Sequence, residues 1–223
     1  MKVVPIQVTP IHPERWGDDL DVVNAARVSF HKVSDEFQEK DAKLIRYLAR
    51  HKHHSPFNHS FLKFRVKAPI FVARQLVKHK FMPWNEVSRR YVDEEPEFFL
   101  PEDWRKKAEN VKQGSSDETV SVIGLRGLRE VTAHEELQTT CEHALRVYND
   151  MLNAGVCAEQ ARMVLPQNMM TEWMWSGTLG AFLDMLVLRL DPHTQYESRI
   201  VAQQIAEHVK EVFPYSYAAY LEN

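Results

Sequence analysis

Between Ser60 and Lys67 apolar and polar side chains alternate without a break. Leu62, Phe64 and Val66 fall on one side, and Lys63, Arg65 and Lys67 on the other. A period of two is that of a half-buried strand. Pro69 follows almost at once, and its fixed φ suits a first helical turn, where its missing N–H is no loss. Ile70, Ala73 and Val77 continue at helical spacing, which predicts a helix over 70–80. Pro83 then disfavours helix at Met82 and turns the chain out, so 84–91 is expected to be irregular. A strand that runs into a helix bounded by prolines leaves few arrangements open, and it fixes where the next side chains lie.

Those side chains are polar. Arg74 to Tyr91 reads RQLVKHKFMPWNEVSRRY, too many hydrogen-bonding groups for an ordinary core helix. On a helix Gln75 shares a face with Lys78 and His79, three and four residues on. In the loop, Ser88 offers a hydroxyl and a backbone N–H, while Arg89 and Arg90 offer forked donors that match phosphate. Taken alone, these residues allow two readings: a solvated basic helix end, or a docking place for a polar anion.

A motif separates the two. Lys78-His79-Lys80, seven residues, then Ser88, with Asn85 and Glu86 before the serine and Arg90-Tyr91 after it, resembles the signature of the flavin-dependent thymidylate synthases. That signature is Arg-His-Arg, seven residues, Ser, and both flanking arginines are lysines here. The resemblance extends over most of the chain. Ala25 to Phe30 is similar to the family's Ala-Ala-Arg-Val-Ser segment. His53, Ser55 and His59 match a His-x-(Ser/Thr)-Pro-Phe-Glu-His loop beside the flavin, with Asn58 in place of the glutamate. Arg162 stands in Ala-Arg-x-Val-Leu-Pro. Arg189 stands in Leu-x-Leu-Arg, whereas the Asn-Ala-Arg that precedes it in the family is Thr178-Leu179-Gly180 here.

The resemblance implies an α+β fold in which an antiparallel sheet packs against helices, assembled as a homotetramer with active sites shared between subunits. It implies reductive methylation of dUMP to dTMP, with methylenetetrahydrofolate as carbon donor and FAD, reduced by NADPH, as hydride donor. The deoxyuridylate site would use Gln75, Lys78, Glu86, Ser88, Arg89, Arg90, Arg162 and Arg189, with Arg189 as the catalytic cation at the uracil ring. The flavin site would use His53, Ser55, Lys78, His79, Lys80, Glu86 and Thr178. The departures at Asn58, Lys78, Lys80 and Gly180 keep open a hydroxymethylase of pyrimidine nucleotides on the same fold. A protein of another class, binding nucleic acid through the 78–90 patch with Trp84 and Tyr91 as stacking platforms, is the remaining alternative.

Composition narrows these readings. A net charge of −3 gives no bulk attraction to nucleic acid or anionic membranes. Two cysteines, Cys141 and Cys157, make no disulfide framework and no zinc spacing, as suits a reducing cytoplasm. Four histidines between His51 and His59 have no carboxylate or cysteine among them, so no metal site is expected. No apolar run approaches the roughly 18 residues of a membrane span, the start is too short and proline-broken for a signal peptide, and no GxGxxG occurs, so a dinucleotide would bind without a Rossmann loop.

The remaining pattern predicts a single domain over 1–223 with a polar insertion around 103–134, of which 112–117 is an exposed loop. Strands are expected at 3–8 and 169–176. Helices are expected at 18–30, at 36–51 capped by Asp35, at 135–153 closed by Gly155, at 158–165, over 179–190 with Arg189 in the last turn, and at 195–213, followed by a short tail. Neither cysteine lies in the polar segment, so a cysteine nucleophile is not expected.

Overall fold

A computed structural model describes residues 1–92, 94–109 and 114–222, with the backbone alone at 12–15. The strands are β1 (Lys2–Val3), β2 (Gln7–Trp16), β3 (Phe61–Pro69), β4 (Trp84–Glu86), β5 (Glu97–Phe98), β6 (Arg105–Lys107), β7 (Ser115–Thr119), β8 (Val122–Arg126), β9 (Arg129–Thr132) and β10 (Met170–Thr178). The helices are α1 (Asp19–Arg27), α2 (Glu39–Arg50), α3 (Ile70–Leu76), α4 (Ala133–Asn153), α5 (Ala158–Ala161), α6 (Leu179–Arg189), α7 (Tyr196–Val212) and α8 (Pro214–Leu221). The fold mixes helix and sheet as expected. The main sheet has the order β2, β3, β10, β4.

The chain divides into two compact units. The first comprises Met1–Ile6, Lys67–Gln75 and Glu86–Glu172. Its core gathers Phe98, Cys141, Leu145, Tyr148, Ala161 and Met169, with Ile70, Leu137, Leu152 and Leu165 packed around them. α4 is 21 residues long because both ends are closed. At its start Thr132 Oγ1 accepts from Glu135 N at 3.1 Å while the Glu135 carboxylate accepts from Thr132 N, a reciprocal capping box. At its end Gly155 takes φ +87, the left-handed conformation a C-cap favours. β1 pairs parallel with β5, and Glu97 there receives the amines of both Lys2 and Lys67.

The polar stretch expected as an insertion forms two antiparallel hairpins, β6 with β7 and β8 with β9. Residues 112 and 113 of the expected loop lie outside the described residues, Gly114 stays non-strand with φ +93, and 115–117 correct to strand: Ser115–Thr119 is largely exposed but hydrogen-bonded, Arg105 facing Thr119 and Lys107 facing Ser115. Polarity marked exposure there, and exposure alone does not tell a loop from a two-stranded ribbon.

The second unit comprises Gln7–Val66, Leu76–Asn85 and Trp173–Asn223. The alternation read in β3 is realised, with Leu62, Phe64 and Val66 buried. Trp173 and Trp175 of β10 are buried, as are Val22 and Val23 of α1, Phe182 and Leu186 of α6, and Val201, Ile205 and Val209 of α7. Phe182 meets Phe64 and Trp175 edge-on at 5.2 and 5.5 Å, the geometry favoured by opposed ring quadrupoles. Buried Asp19 accepts from the Tyr215 and Ser216 backbone N–H groups and from the Ser216 hydroxyl. That docks the start of α8, so the expected short tail is a helix. α2 begins at Glu39, which leaves Asp35 outside it. Its first turn is closed by buried Asp41, which accepts from Gln38 N at 2.8 Å and pairs with Arg27.

The helix after Pro69 also ends sooner than its periodicity suggests. α3 stops at Leu76, and His79 N bonds back to Leu76 O at 3.1 Å in a tight turn. Phe81 adopts φ +62, so the reversal is complete before Pro83 and Trp84–Glu86 can pair as a strand instead of remaining irregular.

Candidate functional site

In the second unit the turn after α3 carries Lys78, His79 and Lys80. Because the helix has ended, these residues do not share a helical face with Gln75. The turn instead brings the His79 ring to the last turn of α6, where Arg189 Nε donates to His79 Nε2 at 2.9 Å. His79 is thereby an acceptor at Nε2 and carries its proton at Nδ1. Burial, then the adjacent guanidinium charge, lowers its pKa to about 4. Burial also lowers that of Arg189, which nonetheless stays charged. Behind this pair stand tryptophans: the His79 ring lies 6.3 Å from that of Trp175, and Trp84 stacks on Trp173 at 4.3 Å. Trp84 is thus committed to a protein partner, which removes one of the two stacking platforms required by a nucleic-acid reading.

Lys78 and Lys80 are exposed, and neither has an ion-pair partner among the described residues. His53 and Ser55 are also exposed, His53 with its ring 6.1 Å from that of Tyr47. Thr178 caps α6: its hydroxyl accepts from Ala181 N at 3.1 Å and donates to Asn58 Oδ1 at 2.8 Å. A Cβ at Gly180 would lie 2.5 Å from that same oxygen. The two departures from the motif are therefore joined, since the Asn58 side chain fills the space that a larger residue at 180 would need. No group of three or more metal-ligating side chains occurs among the described residues.

The first unit carries the other residues. Glu86 Oε1 accepts from Thr171 Oγ1 at 2.8 Å. Ser88 Oγ lies 3.2 Å from Arg90 Nε and 3.4 Å from Arg90 N, so it accepts from the arginine and keeps its own proton for another partner. Arg89 donates to the Glu94 carbonyl, and the Arg90 guanidinium lies 4.9 Å from the Tyr91 ring centre in a cation–π contact. Arg162 is exposed at the end of α5 and donates to Glu159 O at 3.3 Å. Gln75 is half-buried. Buried Cys141 shares a weak hydrogen bond with Asn168, and burial pushes its thiol up; it belongs to the core of the first unit.

Two residues and one contact go beyond what the sequence pattern picks out. Thr171 shares the buried face of β10 with Trp173 and Trp175, and strand alternation could have found it. Tyr47 lies beside His53 at the end of α2, and the motif names Asn58 and Thr178 separately without showing that they bond to each other across 120 residues.

The profile of the thymidylate synthase complementing protein family matches residues 14–215. A flavin-dependent thymidylate synthase of Thermus thermophilus is 43% identical over 210 residues, covering 94% of this chain and 74% of that protein. One from Kosmotoga olearia is 40% identical over 211 residues, covering 93% and 87%. A solved structure of the UMP/dUMP methylase PolB from Streptomyces cacaoi, bound with 5-Br dUMP, superposes with a TM-score of 0.82 at 27% identity over 100% of this chain and 97% of that one. The chain belongs to the thymidylate synthase complementing protein family.

Proposed function

We propose that this protein is a flavin-dependent thymidylate synthase that converts dUMP to dTMP, drawing its carbon from methylenetetrahydrofolate. The observation that carries the reading is the Arg189 guanidinium, half-buried and tethered by its bond to His79. A planar cation held in that way stabilises negative charge on a uracil oxygen, which makes C5 nucleophilic without a protein nucleophile attached to the ring. Neutral His79 suits the task, because a second positive charge beside Arg189 would push the arginine out of position.

Ser88, Arg89, Arg90 and Arg162 supply the hydroxyl and guanidinium donors that a nucleotide phosphate needs, with Gln75, Lys78 and Glu86 as further substrate ligands. For FAD, the donor set fits: Lys78 and Lys80 bring two exposed cations to a diphosphate, and His53, Ser55, His79, Glu86 and Thr178 bring polar groups. Reduced by NADPH, bound FAD supplies the hydride. The lysines conserve charge but not the bidentate fork of arginine. The working form is a cytoplasmic homotetramer with active sites shared between subunits. Among the described residues no helix is long and apolar enough to cross a membrane.

The test is mass detection of the nucleotide after incubation with FAD, NADPH, methylenetetrahydrofolate and dUMP. Thymidylate is expected. A hydroxymethyl product, or unchanged dUMP in a protein that has bound flavin, overturns the assignment.

A further inference from the structure

We infer that the cavity between α2 and α8 is an anion subsite that takes a phosphate or carboxylate group carried by an extended ligand. It is lined by Arg46, Ala49 and Arg50 of α2 and by Ala219 and Tyr220 of α8, and has a volume of about 230 Å³. One water takes about 30 Å³ of liquid volume, so the space admits a phosphate with part of its substituent.

Arg46 and Arg50 lie one turn apart on a single helix face, where like charges oppose each other. Neither guanidinium has an ion-pair or hydrogen-bond partner among the described residues, whereas Lys43 on the same helix pairs with Glu39. Two unneutralised forks at the mouth of a concavity are matched by an anion with two or more oxygens. The two alanines leave the room, and Tyr220 supplies a third group. Its ring is held edge-on by Phe57 at 5.1 Å, and its hydroxyl lies 3.1 Å from His54 Nδ1. Burial, then the nearby Asp184 carboxylate, raises the phenol pKa and keeps it a proton donor. Two arginines against one carboxylate still leave the entrance cationic.

Under the function proposed above, on which this step rests, the anion has two sources: the 2′-phosphate of NADPH, or the carboxylates of a folate glutamate tail. Calorimetric titration of the full chain with inorganic pyrophosphate is the first arm. The second compares NADPH with NADH, and methylenetetrahydrofolate carrying three glutamates with the same compound carrying one. Pyrophosphate binding is expected to weaken about tenfold or more in Arg46→Gln/Arg50→Gln, and also in Ala219→Leu, which keeps both charges but fills the space, each variant being checked for an unchanged melting profile. The pair that the parent distinguishes and the double arginine variant does not identifies the source. Binding that survives the double variant overturns the inference, as does a parent that binds none of the probes. Pyrophosphate binding with neither pair distinguished overturns it in favour of an adventitious ion only. Because binding is read directly, a protein that makes no thymidylate still shows whether the cavity holds an anion.

Discussion

Arg189 Nε donates to His79 Nε2 across 2.9 Å, joining the final turn of α6 to the turn that follows α3. This bond requires an unprotonated acceptor, and the burial and neighbouring charge that lower the His79 pKa to about 4 also hold the ring in that form. The folded state therefore resists protonation that the unfolded chain accepts near the ordinary histidine value of about 6.5. Stability from this pair is fully present above about 6.5 and is lost as pH falls toward 4. The loss is expected to be on the order of 1–2 kcal/mol once half-exposure is allowed for. Denaturant melts of the parent and His79→Gln between pH 4 and 7 check it: the parent's slope in that window should flatten in the variant, and equal slopes would refute the linkage.

Arg189→Lys keeps a cation but loses the Nε that His79 orients and the planar pair of donors. Removing a preorganised donor of this kind costs about 100- to 1000-fold in kcat. Thymidylate formation by Arg189→Lys should fall within that range while the dissociation constant for FAD stays within about twofold, as read by flavin fluorescence. A kcat near that of the parent would move the uracil-activating role to another residue.

Lys78 and Lys80 flank His79 on an exposed turn. If they hold the flavin diphosphate, Lys78→Ala and Lys80→Ala should each weaken FAD about tenfold, with a shallower salt dependence. Lys78→Arg and Lys80→Arg should match or improve on the parent through bidentate geometry. Flavin fluorescence titrations at two ionic strengths distinguish these outcomes, and alanine variants with unaltered affinity would place the diphosphate elsewhere.

What the sequence made legible was whatever depends on local periodicity. The alternation of Leu62, Phe64 and Val66, the α6 stripe that ends on Arg189, and the Gly155 cap were all readable because each records one buried face or one required φ. The bond between His79 and Arg189, 110 residues apart, was not readable, since it depends on α3 ending at Leu76 when the helical pattern runs on through Val77. Likewise the motif marked Asn58 and Gly180 as two separate departures. Only the geometry shows that they occupy one space.

That shared space gives the last prediction. Gly180 lies in the first turn of α6, and an added Cβ would sit 2.5 Å from Asn58 Oδ1 and 3.5 Å from the buried Phe57 Cβ. Alanine at a helical position gains up to about 1 kcal/mol over glycine, but the overlap costs about 1–3 kcal/mol. Relief by rotating Asn58 breaks the bond from the Thr178 hydroxyl that caps the helix. Gly180→Ala is therefore expected to destabilise the protein by about 1 kcal/mol in the parent. In an Asn58→Ala background the obstacle is gone, only the propensity gain remains, and the same substitution should stabilise. A double-mutant cycle by urea denaturation measures the coupling directly. Gly180→Ala having the same sign in both backgrounds would show that Asn58 and Gly180 are independent.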